Sequence, residues 1–234
     1  MSYKSSINNN EVNELTPMKE DYLKIIFELG GKSKKISNKQ IAMGLNIAAG
    51  SVTEMVTKLV EEGLAKHTPY AGISLTDEGI QIAEIMVRKH RIWETFLVDK
   101  LDYKLSEVDT DAEVLEHVTS DHLLDSLDKF LDYPTHCPHG GVIPDKEGNY
   151  HEDSHTLLAD VKEGTTVTVD RFIDNHELLN YLDEIDLDIG DKVHVIHHAP
   201  FEGATTVKLI DNDSATDERQ ISYKAAHYVF VQED

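Results

Sequence analysis

Positive charge, cysteine and long apolar segments are all scarce in this sequence. The 234 residues contain 22 Lys+Arg against 44 Asp+Glu, and the resulting net charge of −22 argues against polyanionic partners such as nucleic acid or an anionic membrane. The single cysteine, Cys137, excludes a disulfide within the chain and is typical of a reducing compartment. The longest apolar runs are four or five residues, whereas a membrane span needs about 20. Residues 1–15 are polar and resemble no secretion signal, so we expect a cytoplasmic protein without a membrane partner.

The negative charge is unevenly distributed along the chain. Residues 1–91 contain 12 Lys+Arg and 11 Asp+Glu, whereas residues 92–234 contain 10 and 33. Residues 32–39 include four lysines and no acidic residue. This division leaves a nucleic-acid partner open for the first third of the chain, although chance clustering on a solvated surface would give the same charge pattern.

Apolar periodicity in the first third predicts a winged helix-turn-helix. A helix begins at Thr16-Pro17 and ends at Gly30-Gly31, and two further helices are predicted over residues 38–45 and 49–62 with a tight connection between them. In this geometry the last helix enters the DNA major groove, and a hairpin over residues 64–75 follows as the wing. The predicted DNA-contacting residues are Lys39, Ser51, Thr53, Glu54, Thr57, Lys58, Lys66, His67 and Tyr70. The alternative is a helical hairpin followed by a purely structural ribbon.

The rest of the chain predicts a helical body followed by short strands. Helices are expected from Thr76 to about Lys100, over 106–118 and over 121–131, and helices after a winged domain usually form a dimer interface. Alternating strands from Thr165 indicate a small β-barrel. The predicted class is α+β, with an N-terminal extension (1–15), a winged-helix DNA-binding domain (16–86), a helical dimerisation and metal-binding domain (87–155) and an SH3-like, FeoA-type β-barrel (156–234).

Three groups of side chains have the spacing of metal ligands. Glu113, Glu116 and His117 share one face of a predicted helix, and their donors suit a divalent cation. His90 and Glu94 have i, i+4 spacing on the long helix, and Cys137 and His139 lie two residues apart in a Pro- and Gly-rich loop. The ordinary alternative for the first group is a solvated acidic face, and for His90 it is a core histidine. The sequence contains no nucleophile elbow, phosphate-binding loop, dinucleotide fingerprint or zinc-protease motif, so we expect no enzyme.

Six motifs occur in order along the chain. They are Thr16-Pro17-Met-Lys-Glu-Asp21-Tyr22-Leu, Ser51-Val-Thr-Glu-Met, Leu75-Thr-x-x-Gly79, Arg88-Lys-His90-Arg, Glu113-x-x-Glu116-His117 and Cys137-Pro-His139-Gly-Gly. Together they resemble the diphtheria-toxin-repressor family of metalloregulators, and most closely its manganese-responsive, three-domain branch. The resemblance covers about residues 16–234.

The resemblance implies two metal sites. The primary site would use Asp21, Glu113, Glu116 and His117; the iron-responsive branch has Met and Cys at the first two positions, so oxygen donors here should favour Mn²⁺. The ancillary site would use Glu94, Cys137, His139 and Asp174, with His90 as a further candidate ligand, and would accept Zn²⁺ or Mn²⁺. Two positions depart from relatives: Lys24 replaces a carboxylate of the two-manganese site in shorter members, and Asp109 replaces a histidine of the iron branch.

These expectations combine into one functional hypothesis. We expect a homodimeric, manganese-dependent repressor of metal-uptake genes that binds a palindromic double-stranded DNA operator. Without metal, the carboxylates of Asp21, Glu113 and Glu116 would repel one another; with metal as corepressor, the DNA-binding domain would be clamped to the dimer body. The alternatives are a winged-helix regulator that senses Fe²⁺ or an organic ligand, and a zinc hydrolase built around Cys137 and His139.

Overall fold

The structure is a computed structural model, and it describes residues 15–148, 150, 156–173, 175–210 and 218–233. Three helices and a hairpin form its first part, in the order α1 (Pro17–Glu28), α2 (Asn38–Gly44), α3 (Ala49–Glu61), β1 (Ala65–Thr68) and β2 (Gly72–Leu75). Ser37 begins α2 with a capping box, because its hydroxyl accepts from the backbone N–H of Gln40 while the Gln40 side chain accepts from the backbone N–H of Ser37.

The helix-turn-helix and its wing are confirmed. The apolar side of α3, predicted to face inward, is buried, and it consists of Val52, Met55, Val56 and Leu59. An isolated β-bridge between Ile36 and Ile73 attaches the wing to the segment before α2. The three helices and the hairpin therefore share one core.

The helical body consists of α4 (Asp77–Leu101), α5 (Val108–Val118) and α6 (Asp121–Phe130). Thr76 begins α4 as predicted, because its hydroxyl accepts a hydrogen bond from the backbone N–H of Gly79. Helix α5 starts two residues later than the sequence predicts. Both α5 and α6 pack against α4, but Val114, Val118 and Phe130 remain exposed, so an apolar surface of α5 and α6 is uncovered in the single chain.

The last part is a six-stranded antiparallel sheet with strand order β3-β8-β4-β5-β6-β7. Its elements are β3 (Thr156–Leu157), β4 (Thr166–Phe172), α7 (His176–Glu184), β5 (Lys192–His198), β6 (Thr205–Leu209), β7 (Glu218–Ile221), α8 (Tyr223–Ala226) and β8 (Val229–Glu233), with a 3₁₀ turn at Leu158–Asp160. The α+β class and the three-part order are confirmed. Three short elements, β3, β7 and α8, are not predicted from the sequence pattern, and they have two to four residues each.

The sheet packs directly on the DNA-binding part. The hydroxyl of Tyr228 donates to the carbonyl of Gln40 at 2.8 Å, and the side-chain amide of Asn175 donates to the carbonyl of Gly44 at 3.4 Å. Lys39 forms an ion pair with Glu202. The apolar side chains of the two parts belong to one continuous core. None of the helices in the described ranges is long and apolar enough to cross a membrane.

Candidate metal centre

Four predicted ligands meet where α1 packs near α5. Asp21 comes from α1, and Glu113, Glu116 and His117 come from one face of α5, as their i, i+3, i+4 spacing dictates. One donor atom from each of the four lies within 4.8 Å of the others. Within this primary cluster, Nε2 of His117 lies 3.0 Å from Oδ1 of Asp21.

The primary cluster concentrates negative charge in a partly buried position. Burial raises the pKa of Asp21 to about 6, and the neighbouring carboxylate of Glu113 adds to the increase. Burial also raises the pKa of Glu113, but the cationic Lys24 and His90 outweigh it and leave that pKa below its ordinary value. The chain therefore compensates the charge of Asp21 less than that of Glu113.

Lys24, one turn after Asp21 on α1, reaches into the same cluster. Its Nζ donates to Oε2 of Glu113 at 2.5 Å and to the two oxygens of Glu116 at 2.8 and 2.9 Å. Burial lowers the pKa of Lys24, but Glu116 and Glu113 raise it well above its ordinary value. By comparison with relatives Lys24 is only a missing ligand, whereas in the structure its ammonium group neutralises much of the repulsion that we expected without metal.

Glu20 contacts the ring nitrogen of His117 that does not face Asp21. One of its carboxylate oxygens lies 2.7 Å from Nδ1 of His117, which leaves Nε2 directed at Asp21. A second partner of this kind fixes the tautomer and orientation of a metal-binding imidazole. Glu20 is not among the residues predicted from the sequence, although it lies directly beside Asp21 on α1.

A second cluster lies between α4 and the loop after α6. Glu94, Cys137 and His139 are all buried, with one donor atom from each within 4.8 Å of the others. Nδ1 of His139 hydrogen-bonds Oε1 of Glu94 at 2.8 Å. Burial raises the pKa of Glu94, but His139 and His90 outweigh it and hold the pKa well below its ordinary value. The fourth predicted ligand, Asp174, lies outside the described residues.

His90 stands between the two clusters. Nδ1 lies 2.5 Å from Oε2 of Glu116, and Nε2 lies 3.2 Å from Oε1 of Glu94 and 3.6 Å from Oδ1 of Asp109. Burial and Lys24 lower the pKa of His90, but Glu94 and Glu116 raise it well above its ordinary value. His90, Glu94 and Asp109 thus form a third close group, and Asp109 was not among the predicted ligands.

The donor atoms fit divalent cations. The primary cluster offers carboxylate oxygen and one imidazole, a set that suits Mn²⁺, whereas the cluster with Cys137 adds a sulfur that suits Zn²⁺. The buried Oε2 of Glu94 makes no hydrogen bond to any described residue. A buried carboxylate oxygen without a partner is costly, and a cation would satisfy it.

The predicted DNA-contacting residues are exposed, and three of them form ion pairs within the chain, Glu54 with Lys58 and Lys39 with Glu202. Those of α3 are exposed, and they are Ser51, Thr53, Glu54, Thr57 and Lys58. On the wing, Lys66 and His67 are exposed, and Tyr70 is fully exposed at the turn. Lys39, on α2, is instead paired with Glu202 and lies 5.0 Å from the ring of Tyr223.

Three family descriptions match the chain in the order of its three parts. Residues 14–73 match "Iron dependent repressor, N-terminal DNA binding domain", residues 76–145 match "Iron dependent repressor, metal binding and dimerisation domain", and residues 156–233 match "FeoA domain". The matches agree with a DNA-binding, dimerising repressor and with an SH3-like last domain.

Solved structures and curated relatives agree with these matches. The manganese regulator SloR is 40% identical, with a TM-score of 0.76 over 94% of this chain and 100% of its own. The metal-dependent transcriptional regulator MtsR is 35% identical, with a TM-score of 0.80 and the same coverage. The diphtheria toxin repressor of Corynebacterium efficiens is 28% identical over 79% of this chain and 85% of its own length. The chain belongs to the diphtheria-toxin-repressor family of metal-dependent, DNA-binding transcriptional repressors, which are not enzymes.

Proposed function

We propose that the chain is a manganese-dependent repressor of metal-uptake genes whose primary metal ligands are Asp21, Glu113, Glu116 and His117. The observation that carries the proposal is the cross-domain cluster, because α1 of the DNA-binding part contributes Asp21 and α5 of the dimerising body contributes the rest. Its three carboxylates and single imidazole favour Mn²⁺ by ligand hardness. The 40% identity to a manganese regulator supports the same metal.

The residues of the cluster act by fixing the position of α1. A bound Mn²⁺ would supply the positive charge that lets Asp21 stay ionised beside Glu113. Asp21 and His117, 3.0 Å apart, then hold α1 against α5. Since α1 and α3 share a core, the recognition helices of a dimer would be restricted to one spacing. Less ordering is then required on binding DNA, and the operator affinity rises by a population shift.

The finer assignments extend this proposal. Glu94, Cys137, His139 and Asp174 form the ancillary site, which takes Zn²⁺ or Mn²⁺, with His90 as a neighbouring ligand. The operator is palindromic, with half-sites about 10 base pairs or a multiple apart, because a two-fold dimer presents two α3 helices. The exposed DNA-facing residues of α3 and the wing contact it. Such a regulator works in the cytoplasm, where it meets chromosomal DNA.

Operator binding with and without Mn²⁺ tests the proposal. DNA fragments that bind in the presence of Mn²⁺ are selected from the source genome, and one selected fragment is then titrated with wild type, Asp21→Ala and Asp99→Ala. Asp99 is an exposed acid on α4 and controls for charge. We expect Mn²⁺ to raise the affinity of wild type and Asp99→Ala at least tenfold and that of Asp21→Ala hardly at all. Undiminished stimulation of Asp21→Ala would show that the clamp is wrong.

Fe²⁺ is the second candidate corepressor. The iron-dependent repressor IdeR of Mycobacterium tuberculosis is 32% identical over 57% of this chain and 58% of its own length. The same titration with Fe²⁺ under anaerobic conditions separates the two metals. We expect half-maximal stimulation at a lower free concentration of Mn²⁺ than of Fe²⁺, and the reverse order would make iron the corepressor.

A further inference from the structure

Lys24 contacts two of the four primary ligands directly, Glu113 and Glu116. Its Nζ lies within 2.5–2.9 Å of three carboxylate oxygens, one from Glu113 and two from Glu116, and 3.4 Å from Nδ1 of His90. The side chain is buried, so these partners replace water around the ammonium group. Three acidic oxygens at such distances are the surroundings of a bound cation.

We infer that Lys24 acts as a permanent cation of the primary site. Its charge limits the site to one divalent ion and weakens the affinity for that ion. Its contacts hold α1 on α5 when no ion is bound. This inference rests on the proposed function, since it assumes that Asp21, Glu113, Glu116 and His117 bind the metal. It assigns Lys24 a role in stoichiometry and affinity, and it leaves the identity of the metal unchanged.

The limit of one divalent ion follows from the charges of the cluster. Asp21, Glu113, Glu116 and Glu20 give four negative charges when ionised, and Lys24 and the cationic His90 reduce the sum to two. One divalent ion then brings the group to neutrality. A second ion would leave two uncompensated positive charges in a largely buried position, which is strongly unfavourable.

The weaker affinity for the divalent ion follows from the carboxylates that Lys24 would share with it. Both oxygens of Glu116 and one oxygen of Glu113 already accept hydrogen bonds from Lys24. An incoming ion has to share or displace these contacts and also meets the repulsion of a positive charge held within the cluster. Removing the charge of Lys24 should therefore strengthen metal binding.

The role of Lys24 in the metal-free chain follows from the two helices that it joins. Lys24 belongs to α1, Glu113 and Glu116 to α5, so the ammonium group links the DNA-binding part to the helical body without metal. Deleting it leaves two acids facing Asp21 across that boundary. The metal-free chain should lose stability, while the metal-bound chain should lose less.

Three variants test the inference. Lys24→Met removes the charge at similar length, Lys24→Glu adds a carboxylate and is prepared with Mn²⁺ present, and Lys35→Met removes an exposed lysine outside the cluster as a control. Bound Mn²⁺ is counted by equilibrium dialysis, with the free ion measured by electron paramagnetic resonance. The melting temperature of the metal-free protein is recorded in parallel. If Lys24→Met does not fold, Lys24→Gln replaces it, because an amide can still donate to Glu116 without charge.

We expect Lys24→Met to bind Mn²⁺ on the order of tenfold more tightly at unchanged stoichiometry and to melt at a lower temperature without metal. Lys24→Glu should bind one more Mn²⁺ per chain, and Lys35→Met should match wild type. Equal or weaker affinity in the uncharged variant, or no additional ion in Lys24→Glu, would overturn the inference. If wild type itself binds no Mn²⁺, the proposed function fails, and that result is distinct from either of these.

Discussion

Glu20 and Asp21 are neighbours on α1, but their carboxylates meet opposite sides of the same imidazole. Glu20 lies 2.7 Å from Nδ1 of His117, and Asp21 lies 3.0 Å from Nε2. A metal can bind only one of these nitrogens in this orientation of the ring. At the residue scale, a metal on Nε2 of His117 would be shared with Asp21, and Glu20 would position the imidazole ring.

Removing the Glu20 carboxylate should weaken the primary site without removing a ligand. We expect Glu20→Ala to lower the affinity for Mn²⁺ about tenfold, because His117 loses the partner that fixes its ring. The measurement is equilibrium dialysis of Mn²⁺ against wild type and against Glu61→Ala, which removes an exposed acid of α3. An equal loss in both variants would mean that Glu20 contributes only charge.

At the scale of elements, the start of α4 depends on a glycine that packs against backbone. A Cβ on Gly79 would lie 2.0 Å from the carbonyl oxygen of Leu64, the residue before β1. Thr76 joins the same two segments, since its hydroxyl donates to the carbonyl of Gly63 and accepts from the N–H of Gly79. The Leu75-Thr-x-x-Gly79 motif thus connects the wing to the long helix.

A methyl group at position 79 should force these segments apart. We expect Gly79→Ala to reduce the free energy of unfolding by about 1–3 kcal/mol, the usual cost of overpacking. Gly50→Ala is the matched control, because Gly50 is also helical and a Cβ there would meet no atom within 4 Å. Alanine at position 50 should raise stability by about 0.5–1 kcal/mol through helix propensity. Urea unfolding of the metal-free protein measures both, and a stabilised Gly79→Ala would contradict the packing.

The sequence predicts the long helices but not the shortest strands and helix. The helices of the first 130 residues follow from apolar periodicity and from caps such as Ser37 and Thr76, since these signals are local. The strands β3 and β7 are too short to show alternation, and the helix α8 has only four residues. Their formation depends on pairing with distant strands, so the sequence pattern missed them.

At the scale of the whole molecule, the FeoA-type domain contacts the surface that is predicted to meet DNA. Lys39 at the start of α2 pairs with Glu202, and the hydroxyl of Tyr228 donates to the carbonyl of Gln40 beside it. Lys224 and Asn46 add a polar contact at 3.4 Å near the end of α2. In this conformation, Glu202 of the acidic FeoA-type domain competes with DNA phosphate for the ammonium group of Lys39.

Releasing Lys39 should strengthen DNA binding. We expect Glu202→Gln to raise the affinity for the selected genomic fragment about threefold and to steepen its salt dependence, because a freed lysine releases a counterion from DNA. Glu184→Gln removes one exposed acid of α7 and controls for net charge. Fluorescence anisotropy over a range of salt concentrations compares the two. Equal changes in both variants would show that Lys39 is not restrained by its partner.

The sequence by itself determined the winged helix, the helical body and the types of side chain that form the candidate metal-binding clusters. These features depend on residues that are close along the chain: the inward face of α3, the i, i+3, i+4 candidate ligands of α5, and Cys137 and His139, two residues apart. The ligand role of Asp21 came from the family resemblance, because no local spacing connects it to Glu113.

The tertiary structure alone decided how these pieces meet. Lys24 enters the primary cluster, His90 joins that cluster to Glu94, and the FeoA-type domain lies on α2, since each depends on helices and strands that are far apart in sequence. Burial then fixes the charges: with water excluded, Lys24 and His90 compensate acids that a solvated chain would leave apart. The net charge of −22 is a property of the sequence, but its local balance is a property of the fold.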